Sequence, residues 1–245
     1  MGPSLSPQGA EREGKPASRI KLGTMIDKRV KNLAEAVAGI KDGSVVLAAG
    51  FGGAGSPEAL YGALLEQGAK DLVIVNNNAG TGRTGLAGLM DAGRVRKIIC
   101  SYPRSSGSVV FEELYRANKI ELELVPQGIL SERMRCAAAG LGGFWSPTGV
   151  GTRLAEGKEE REIDGRRYVL EKPLKGDVAL LKADRGDRWG NLTYNKSARN
   201  FNPTMAQAAA LSVVQVRQFV ELGDIDPEHI VTPGIFIDRM VVVPV

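Results

Sequence analysis

The sequence predicts an α/β protein with an open, mostly parallel sheet, helices on both faces and a smaller mixed β region in its C-terminal half. Up to about residue 139, short continuous apolar runs such as residues 45–49 alternate with amphipathic segments. Apolar runs of this length are typical of strands buried on both faces. A repeated strand–helix order implies crossover connections and therefore parallel strands. From Gly140 onward, glycine-rich loops and a hairpin pattern indicate the mixed region.

The first half of the chain supplies the predicted parallel units. An opening amphipathic helix is predicted from the apolar spacing of Val30, Leu33, Ala34, Val37 and Ile40. Ser56 and Pro57 favour a helix start, with serine as the N-cap, and Gly68 favours its end. The predicted order after the opening helix is strand 45–49, helix 56–68, strand 71–75, helix 85–93, strand 97–101, helix 109–118, strand 121–125 and helix 129–139.

The second half has fewer regular elements. Residues 162–170 predict a hairpin, because Asp164 and Gly165 form a favourable two-residue turn. Residues 178–183 and 235–243 predict further strands, and residues 198–202 predict a polar loop. His229, the only histidine, precedes a predicted strand and is expected to be structural or exposed.

Composition limits the class of protein. The chain has 245 residues, 43% hydrophobic residues and a net charge of +4, which fits one large globular domain. Residues 1–24 are rich in Gly, Pro, Ser and charge, so we expect a disordered extension before a folded domain at 25–245. A basic tail on a balanced body is only weak evidence for nucleic-acid binding, and we expect a solvated tail instead.

Other compositional features exclude further classes. The longest apolar runs are too short to span a membrane. Cys100 and Cys136 cannot build a disulfide framework or a metal cluster, so we expect no metal and a reducing, cytoplasmic location.

Three predicted strands end in unusual loops. These loops are Gly50–Gly55, Asn76–Gly80 and Pro126–Gly128. Ligands of parallel sheets bind beyond the carboxyl ends of the strands, so the loops form one site if their strands are neighbours. A glycine-rich loop between a strand and a helix also exposes backbone N–H groups that can bind an anion.

Gly50, Gly52 and Gly55 match the G-x-G-x-x-G spacing of a dinucleotide site. Such a site needs an acidic residue at the end of the next strand to bind the ribose. Here that strand ends in Asn76–Asn78 instead, and no P-loop motif is present. A NAD-type oxidoreductase therefore stays an alternative with one required feature missing.

Taken together, the motifs resemble those of family I CoA-transferases, and specifically their A (alpha) subunit. The segment from Asp42 to Pro57 is similar to the N-terminal strand and glycine loop of that family, with Ala49 where the family usually has glycine. The other matching motifs, in order, are Asn77–Gly80, Pro126–Gly128 with Glu132–Arg135, Ser146–Gly149, Gly190–Tyr194 and Ala198–Asn202.

Within the family, the chain most resembles the branch that uses 3-oxoadipate. Ser101–Ser105, Phe111–Tyr115 and Leu154–Glu159 carry this similarity. The resemblance implies transfer of CoA from succinyl-CoA to 3-oxoadipate in the degradation of aromatic compounds. Use of acetoacetate or another short 3-oxoacid is the alternative within the family.

The resemblance also implies that this chain is half of an enzyme. The family's nucleophile is a glutamate in a Ser-Glu-Asn-Gly motif on the B half, whereas Ser131 and Glu132 here are followed by Arg133 in a predicted helix. Glu132 is therefore expected to be an exposed or ion-paired helix residue. A separate B subunit would supply the nucleophile, in a heterodimer or heterotetramer, and CoA would bind as a substrate. A non-catalytic CoA-binding module is the remaining alternative.

Specific residues are expected at the site. The glycine loop would bind CoA, and the side-chain amides of Asn77, Asn78 and Gln127 would contact the substrate carboxylate and the anhydride. Both groups could instead reflect ordinary turn chemistry, and Phe51 could be a core residue. Arg104 is a candidate for the second carboxylate of succinate and 3-oxoadipate, or else a solvated loop residue. The loop residues concerned are Ala49, Gly50, Phe51, Gly52, Gly53, Ala54 and Gly55.

Overall fold

The computed structural model describes residues 26–244. The predicted disordered extension at residues 1–24 lies outside the described residues, and the domain boundary at residue 25 stays a prediction. The helices are α1 Leu33–Ala36, α2 Glu58–Gln67, α3 Gly85–Asp91, α4 Val109–Arg116, α5 Gln127–Ala138 and α6 Asn202–Ala208. The strands are β1 Val45–Ala48, β2 Leu72–Val75, β3 Val95–Cys100, β4 Glu121–Leu124, β5 Phe144–Ser146, β6 Glu160–Ile163, β7 Arg166–Glu171, β8 Gly176–Gly186, β9 Leu192–Thr193, β10 Ala209–Phe219 and β11 Arg239–Val242.

The main sheet confirms the predicted fold class. Its order is β11-β10-β8-β1-β2-β3-β4, with every pair along this path parallel. The short strand β9 pairs antiparallel with β8. The predicted smaller β region is an antiparallel sheet in the order β5-β7-β6. Asp164 and Gly165 form its hairpin turn, both with positive φ.

Two hydrophobic cores lie on opposite faces of the main sheet, because successive side chains of each strand point to opposite faces. Val46 and Ile74 belong to the core that contains residues of α1 to α4. Leu47 and Val73 belong to the core that contains residues of α5 and α6. Strands β1 and β2 are therefore covered on both sides, as their continuous apolar sequences predicted.

The two ends of the predicted domain differ from expectation. The opening helix is a single turn, because residues 28–30 instead run beside β11, where the amide of Val30 donates to the Met240 carbonyl at 2.9 Å. Gly39, with a φ of 81°, turns the chain away after α1. At the other end, Gly234–Phe236 is a 3-10 turn and only Arg239–Val242 forms a strand.

Helix α6 and strand β10 were not predicted from the sequence. Strand β10 is eleven residues long and lies between the edge strand β11 and β8, but buried polar residues interrupt its apolar pattern. Ser212 and Gln215 are 1% and 6% exposed. The Ser212 hydroxyl donates to the Ala206 carbonyl at 2.8 Å, and the Gln215 side chain accepts two backbone hydrogen bonds from α2. The partners of Gln215 lie 155 and 156 residues away in sequence, so no local pattern reveals them.

Strands β8 and β10 extend beyond the carboxyl end of β1. Ala48 at the end of β1 pairs with Leu180, but β8 continues to Gly186, where it pairs with Phe219 of β10. We call these projecting residues, 182–186 and 215–219, the β8–β10 arm. In the described part of the chain, no helix is long and apolar enough to cross a membrane.

Candidate active site

A cavity of about 670 Å³ opens beyond the carboxyl ends of β1 to β4. Strands β1 and β2 are adjacent, and β3 lies between β2 and β4. All three unusual loops nevertheless reach the cavity, which is also lined by residues that follow β3. The lining includes Phe51, Gly52, Gly53, Asn76, Asn77, Asn78, Ser101, Tyr102, Ser105 and Gln127.

Part of the predicted glycine loop lies away from this cavity. Ala49 is completely buried and belongs to the core beside α5 and α6. Its amide donates to the Leu180 carbonyl at 3.0 Å, and its carbonyl accepts from the Tyr61 hydroxyl at 3.0 Å. Burial raises the pKa of Tyr61, so the phenol keeps its proton for this bond. Ala54 and Gly55 line a different groove.

The tip of the loop is a tight turn. The Phe51 amide donates to the Ala54 carbonyl at 3.0 Å, and the Ala54 amide donates to the Phe51 carbonyl at 3.2 Å. Phe51 is 47% exposed, so it lines the cavity rather than anchoring the core. Between these residues, the amides of Gly52 and Gly53 donate to no carbonyl of the described backbone.

The polar segment Ala198–Asn202 holds the other end of the loop. The Asn200 side-chain amide donates to the Ala54 carbonyl at 3.0 Å, and that of Asn202 donates to the Gly55 carbonyl at 3.3 Å. Gly55 has a φ of 67°, and a Cβ atom there would lie 2.3 Å from the Ala198 carbonyl oxygen. Glycine is therefore required by both backbone conformation and space.

Asn202 connects three parts of the chain. Its side chain is fully buried, donates to the carbonyls of Gly55 and Ala198, and accepts from the Lys182 amide at 2.8 Å. This arrangement gives the polar motif at residues 198–202 a structural purpose, which is to fix the glycine loop to β8.

The three asparagines after β2 differ in how fully their side chains are used in hydrogen bonds within the chain. The Asn76 side chain donates to the Ala48 carbonyl at 2.6 Å and accepts from the Asn78 amide at 2.8 Å, which ties the end of β2 to β1. The Asn77 side-chain oxygen accepts from the Ser101 hydroxyl at 2.8 Å. The Asn78 side-chain oxygen accepts from the Gly80 amide at 2.8 Å.

Two of these side-chain amides keep nitrogen atoms that are not used in hydrogen bonds to the described residues. The Nδ2 groups of Asn77 and Asn78 donate to no described residue, and both residues line the cavity. Gln127 is the first residue of α5, is exposed, and also lines the cavity. Fixed N–H donors of this kind stabilise an oxyanion that develops on a reacting carbonyl.

Ser56 and Glu58 line the cavity, although neither was predicted as a site residue. The predicted N-cap is wrong, because the Ser56 hydroxyl donates to Glu58 Oε1 at 2.6 Å and makes no cap hydrogen bond. The Gln215 side chain caps α2 instead, accepting from the Ala59 and Leu60 amides at 3.1 and 3.3 Å. The Ser-Pro-Glu sequence at the start of α2 does not indicate that a residue as distant in sequence as Gln215 caps the helix.

Glu58 gives the cavity its charge. Among the described residues that line it, Glu58 is the one carboxylate, and neither lysine nor arginine is included. Arg104 is exposed on the rim, between lining residues Tyr102 and Ser105, and forms no ion pair with the described residues. A positive charge reaches this cavity only if such a rim residue turns inward or a partner supplies it.

Two other residues lie where the sequence predicted. Glu132 is on α5, outside the cavity lining, and pairs with Arg135 at 2.8 Å. The His229 side chain is 78% exposed beside Asp226. In the described part of the chain, no group of three or more His, Cys, Asp or Glu side chains is arranged to hold a metal ion.

Comparison with known proteins identifies the family. The model for the coenzyme A transferase family matches residues 30–243. The chain is 62% identical to the A chain of 3-oxoadipate CoA-transferase from Pseudomonas putida, over 89% of this chain and 95% of that protein. It is 57% identical to the protein of the same name from Acinetobacter baylyi, over 89% and 95% of the two chains.

Solved structures share the fold. The acyl-CoA transferase YdiF of Escherichia coli O157:H7 superposes with a TM-score of 0.80 at 24% identity, over 90% of this chain. This chain spans about half of that protein, 48% of its length. From the family match and the identity to its members, the chain belongs to the coenzyme A transferase family.

Proposed function

We propose that this chain is the alpha subunit of a CoA-transferase that moves CoA from succinyl-CoA to 3-oxoadipate, with the nucleophilic glutamate supplied by a separate B subunit. The observation that carries this proposal is the 62% identity to the alpha-type chain of a 3-oxoadipate CoA-transferase, across 95% of that relative. This similarity favours a CoA-transferase over the dinucleotide-binding oxidoreductase that the glycine spacing left open.

CoA transfer between two acids needs a carboxylate nucleophile. The glutamate attacks the thioester carbonyl, releases the CoA thiolate and forms an acyl–glutamyl anhydride. The thiolate then attacks the glutamyl carbonyl, which releases succinate and leaves a glutamyl–CoA thioester. The acceptor acid reverses these steps and leaves as the new thioester. Each step passes through a tetrahedral oxyanion, and covalent catalysis divides one difficult transfer into easier ones.

Residues of this chain fit the supporting roles. The Nδ2 groups of Asn77 and Asn78 and the amide of Gln127 can donate to the developing oxyanion or to the reacting carboxylate. Gly52 and Gly53 carry no side chain, so the thioester can approach their backbone N–H groups closely. Arg104 on the rim can bind the second carboxylate of both acids in bidentate fashion.

The cavity's own carboxylate is poorly arranged to be the nucleophile. Glu58 Oε1 accepts the 2.6 Å hydrogen bond from Ser56, and Oε2 packs against Gly85. A hydrogen bond to a carboxylate stabilises its charge and reduces its reactivity. We therefore assign the nucleophile to the partner and give Glu58 an electrostatic role in the cavity.

The test is to locate the covalent intermediate. The complex of this chain with its B subunit is incubated with succinyl-CoA without acceptor, and the intact mass of each chain is measured. We expect the B subunit to gain the mass of CoA less one water, and the same result when Glu58→Gln replaces the wild-type form of this chain. CoA attached to this chain, and lost in Glu58→Gln, would assign the nucleophile here instead.

The acceptor acid is tested with the same complex. We expect transfer to 3-oxoadipate to be faster than transfer to acetoacetate, and the reverse order would move the chain to the other branch. We further propose that the protein acts in a reducing cytoplasm, which agrees with the free, buried thiols of Cys100 and Cys136.

A further inference from the structure

Two of the amide donors proposed for the oxyanion are held in different ways. The Asn78 side-chain oxygen accepts from the backbone amide of Gly80 at 2.8 Å. A backbone N–H can only donate, so this bond by itself fixes the orientation of the Asn78 amide. The Asn77 side-chain oxygen instead accepts from the Ser101 hydroxyl at 2.8 Å. The orientation of the Asn77 amide therefore depends on a side chain, which a substitution can remove.

The Ser101 hydroxyl can donate or accept, and its surroundings decide between the two. The backbone carbonyl of Asn77 lies 3.1 Å from this hydroxyl and is the other acceptor for its proton. That carbonyl already accepts from the backbone amides of Ser101 and Tyr102, at 3.2 and 3.0 Å. Because a carbonyl oxygen has two lone pairs, the hydroxyl proton is left for the Asn77 side-chain oxygen, which is also closer. Ser101 is therefore the donor in this bond.

The nitrogen of the Asn77 side chain remains accessible. Asn77 is only 5% exposed, and both it and Ser101 line the cavity. Within residues 26–244, Arg94 Nε is the one fully buried side-chain nitrogen or oxygen atom without a hydrogen-bond partner. Asn77 Nδ2 has no partner among these residues either, so it must keep some exposed surface. Since Asn77 lines the cavity, this surface is available to a substrate.

The backbone around Ser101 is fixed independently of its hydroxyl. The Asn76 amide donates to the Ile99 carbonyl at 3.1 Å, and Asn78 forms a parallel bridge with Tyr102. The pairing of β2 with β3 therefore continues past the ends of both strands. Removal of the Ser101 hydroxyl should leave this main-chain pairing in place.

We propose that Ser101 is a positioning residue, whose hydroxyl holds the Asn77 side-chain oxygen and so keeps the Asn77 nitrogen as an N–H donor for the oxyanion. This inference rests on the proposed function and adds a residue that acts through Asn77 rather than on the substrate. In the reverse orientation, the amide oxygen would meet the developing negative charge and repel it. Supporting hydrogen bonds of this kind hold donors in the geometry that electrostatic stabilisation requires.

The size of the effect follows from the one hydrogen bond that is lost. A hydrogen bond of typical strength corresponds to a factor of about ten in the equilibrium between two orientations. Ser101→Ala should therefore lower kcat about tenfold and leave KM for succinyl-CoA within about twofold. Asn77→Ala removes the donor itself and should lower kcat about a hundredfold. In a protein without Asn77, the serine hydroxyl has no amide to orient, so its removal should have no further effect.

A double-mutant cycle tests this coupling in the complex of the chain with its B subunit. Steady-state kinetics of CoA transfer from succinyl-CoA to 3-oxoadipate are measured for Ser101→Ala, Asn77→Ala and the double variant. Ser101→Ala is also combined with Asn78→Ala, and Ser101→Thr keeps a hydroxyl at the position. The matched control is Ser44→Ala, which removes a hydroxyl that donates to the Lys41 carbonyl at 2.7 Å, beside the amino end of β1.

We expect the double variant of Ser101 and Asn77 to match Asn77→Ala. In the Asn78→Ala background, Ser101→Ala should still lower kcat about tenfold. Ser101→Thr and Ser44→Ala should behave as the wild type. Wild-type kcat in Ser101→Ala would overturn the proposal. So would an equal loss from Ser101→Ala with and without Asn77, since the hydroxyl would then contact the substrate itself or support the fold.

Failure of the proposed function would look different, because the wild-type complex would then transfer CoA to neither 3-oxoadipate nor acetoacetate. The state of Asn77 can still be measured from side-chain amide signals in a proton–nitrogen NMR correlation spectrum. The two signals of the Asn77 side-chain amide are those missing from the spectrum of Asn77→Ala. They should shift in Ser101→Ala and stay in place in Ser44→Ala. Unchanged positions in Ser101→Ala would overturn the proposal, whatever the activity of the complex.

Discussion

Two glycines of the same loop allow the role of close packing to be measured directly. Gly52 and Gly55 both have left-handed backbones, with φ of 59° and 67°. A Cβ at Gly52 would meet nothing within 4 Å, whereas a Cβ at Gly55 would lie 2.3 Å from the Ala198 carbonyl oxygen and 2.6 Å from Asn200 Nδ2. An alanine at either position therefore has the same conformational cost, but only an alanine at position 55 would also clash with neighbouring atoms.

The expected magnitudes follow from these contacts. Alanine in a left-handed conformation costs about 1–2 kcal/mol, so Gly52→Ala should lower the free energy of unfolding by that amount. Gly55→Ala must also push the loop away from the segment Ala198–Asn202. That movement breaks the hydrogen bonds from Asn200 to Ala54 and from Asn202 to Gly55, each contributing about 1 kcal/mol. The total for Gly55→Ala is about 3–4 kcal/mol.

Urea unfolding of both variants measures the difference in stability, and kcat/KM of the complex with the B subunit measures the effect on the site. We expect Gly55→Ala to be less stable than Gly52→Ala by about 2 kcal/mol. Equal destabilisation of the two variants would refute the argument that the polar segment fixes the glycine loop.

Three further predictions concern the site and the core. Alanine in place of Asn77, Asn78 or Gln127 should lower kcat by about a hundredfold with little effect on KM for succinyl-CoA. Steady-state kinetics measure both constants, and a change confined to KM would contradict the oxyanion role. Arg104→Gln should slow CoA transfer to 3-oxoadipate at least about tenfold and leave transfer to acetoacetate unchanged. The control is Arg153→Gln, which replaces an arginine whose side chain is 95% exposed. Equal losses for both acids would exclude a carboxylate contact. Burial raises the pKa of the Cys100 thiol from 9.0 to about 12, so the folded chain binds this proton more tightly and should lose stability as pH rises from 9 to 12. Unfolding followed against pH should show a smaller loss in Cys100→Ala, and the same slope in both proteins would contradict the assignment.

The sequence predicted the first half of the fold well because its signals are local. The apolar runs of β1 and β2, the glycine after α2 and the turn at Asp164 and Gly165 all depend on neighbours in sequence. The same locality explains the failures. Strand β10 contains Gln215, whose partners on α2 lie 155 and 156 residues away. Residues 28–30 leave the predicted helix because they pair with β11.

The residues of the candidate site also differ in whether a local sequence signal reveals them. Glycine and amide residues at strand ends could be predicted, because parallel strands bring their carboxyl ends to one edge. Glu58 could not, because only the capping of α2 by Gln215 shows that Ser56 and Glu58 are free to pair beside the cavity. Ala49 was expected both at the end of the buried strand 45–49 and in the binding loop, and its burial and its bond to Leu180 of β8 agree with the first expectation.

The place of β1 in the sheet has a consequence for biosynthesis. Among the strands that the structure describes, β1 leaves the ribosome first. Its partner on one side, β2, follows within thirty residues, but its partner on the other side is β8, which begins at Gly176. Until then, one edge of a fully apolar strand has no hydrogen-bond partner in the nascent chain, and such edges promote aggregation. Nascent chains arrested before Gly176 should therefore bind chaperones, and chains that include β8 and β10 should be released from them.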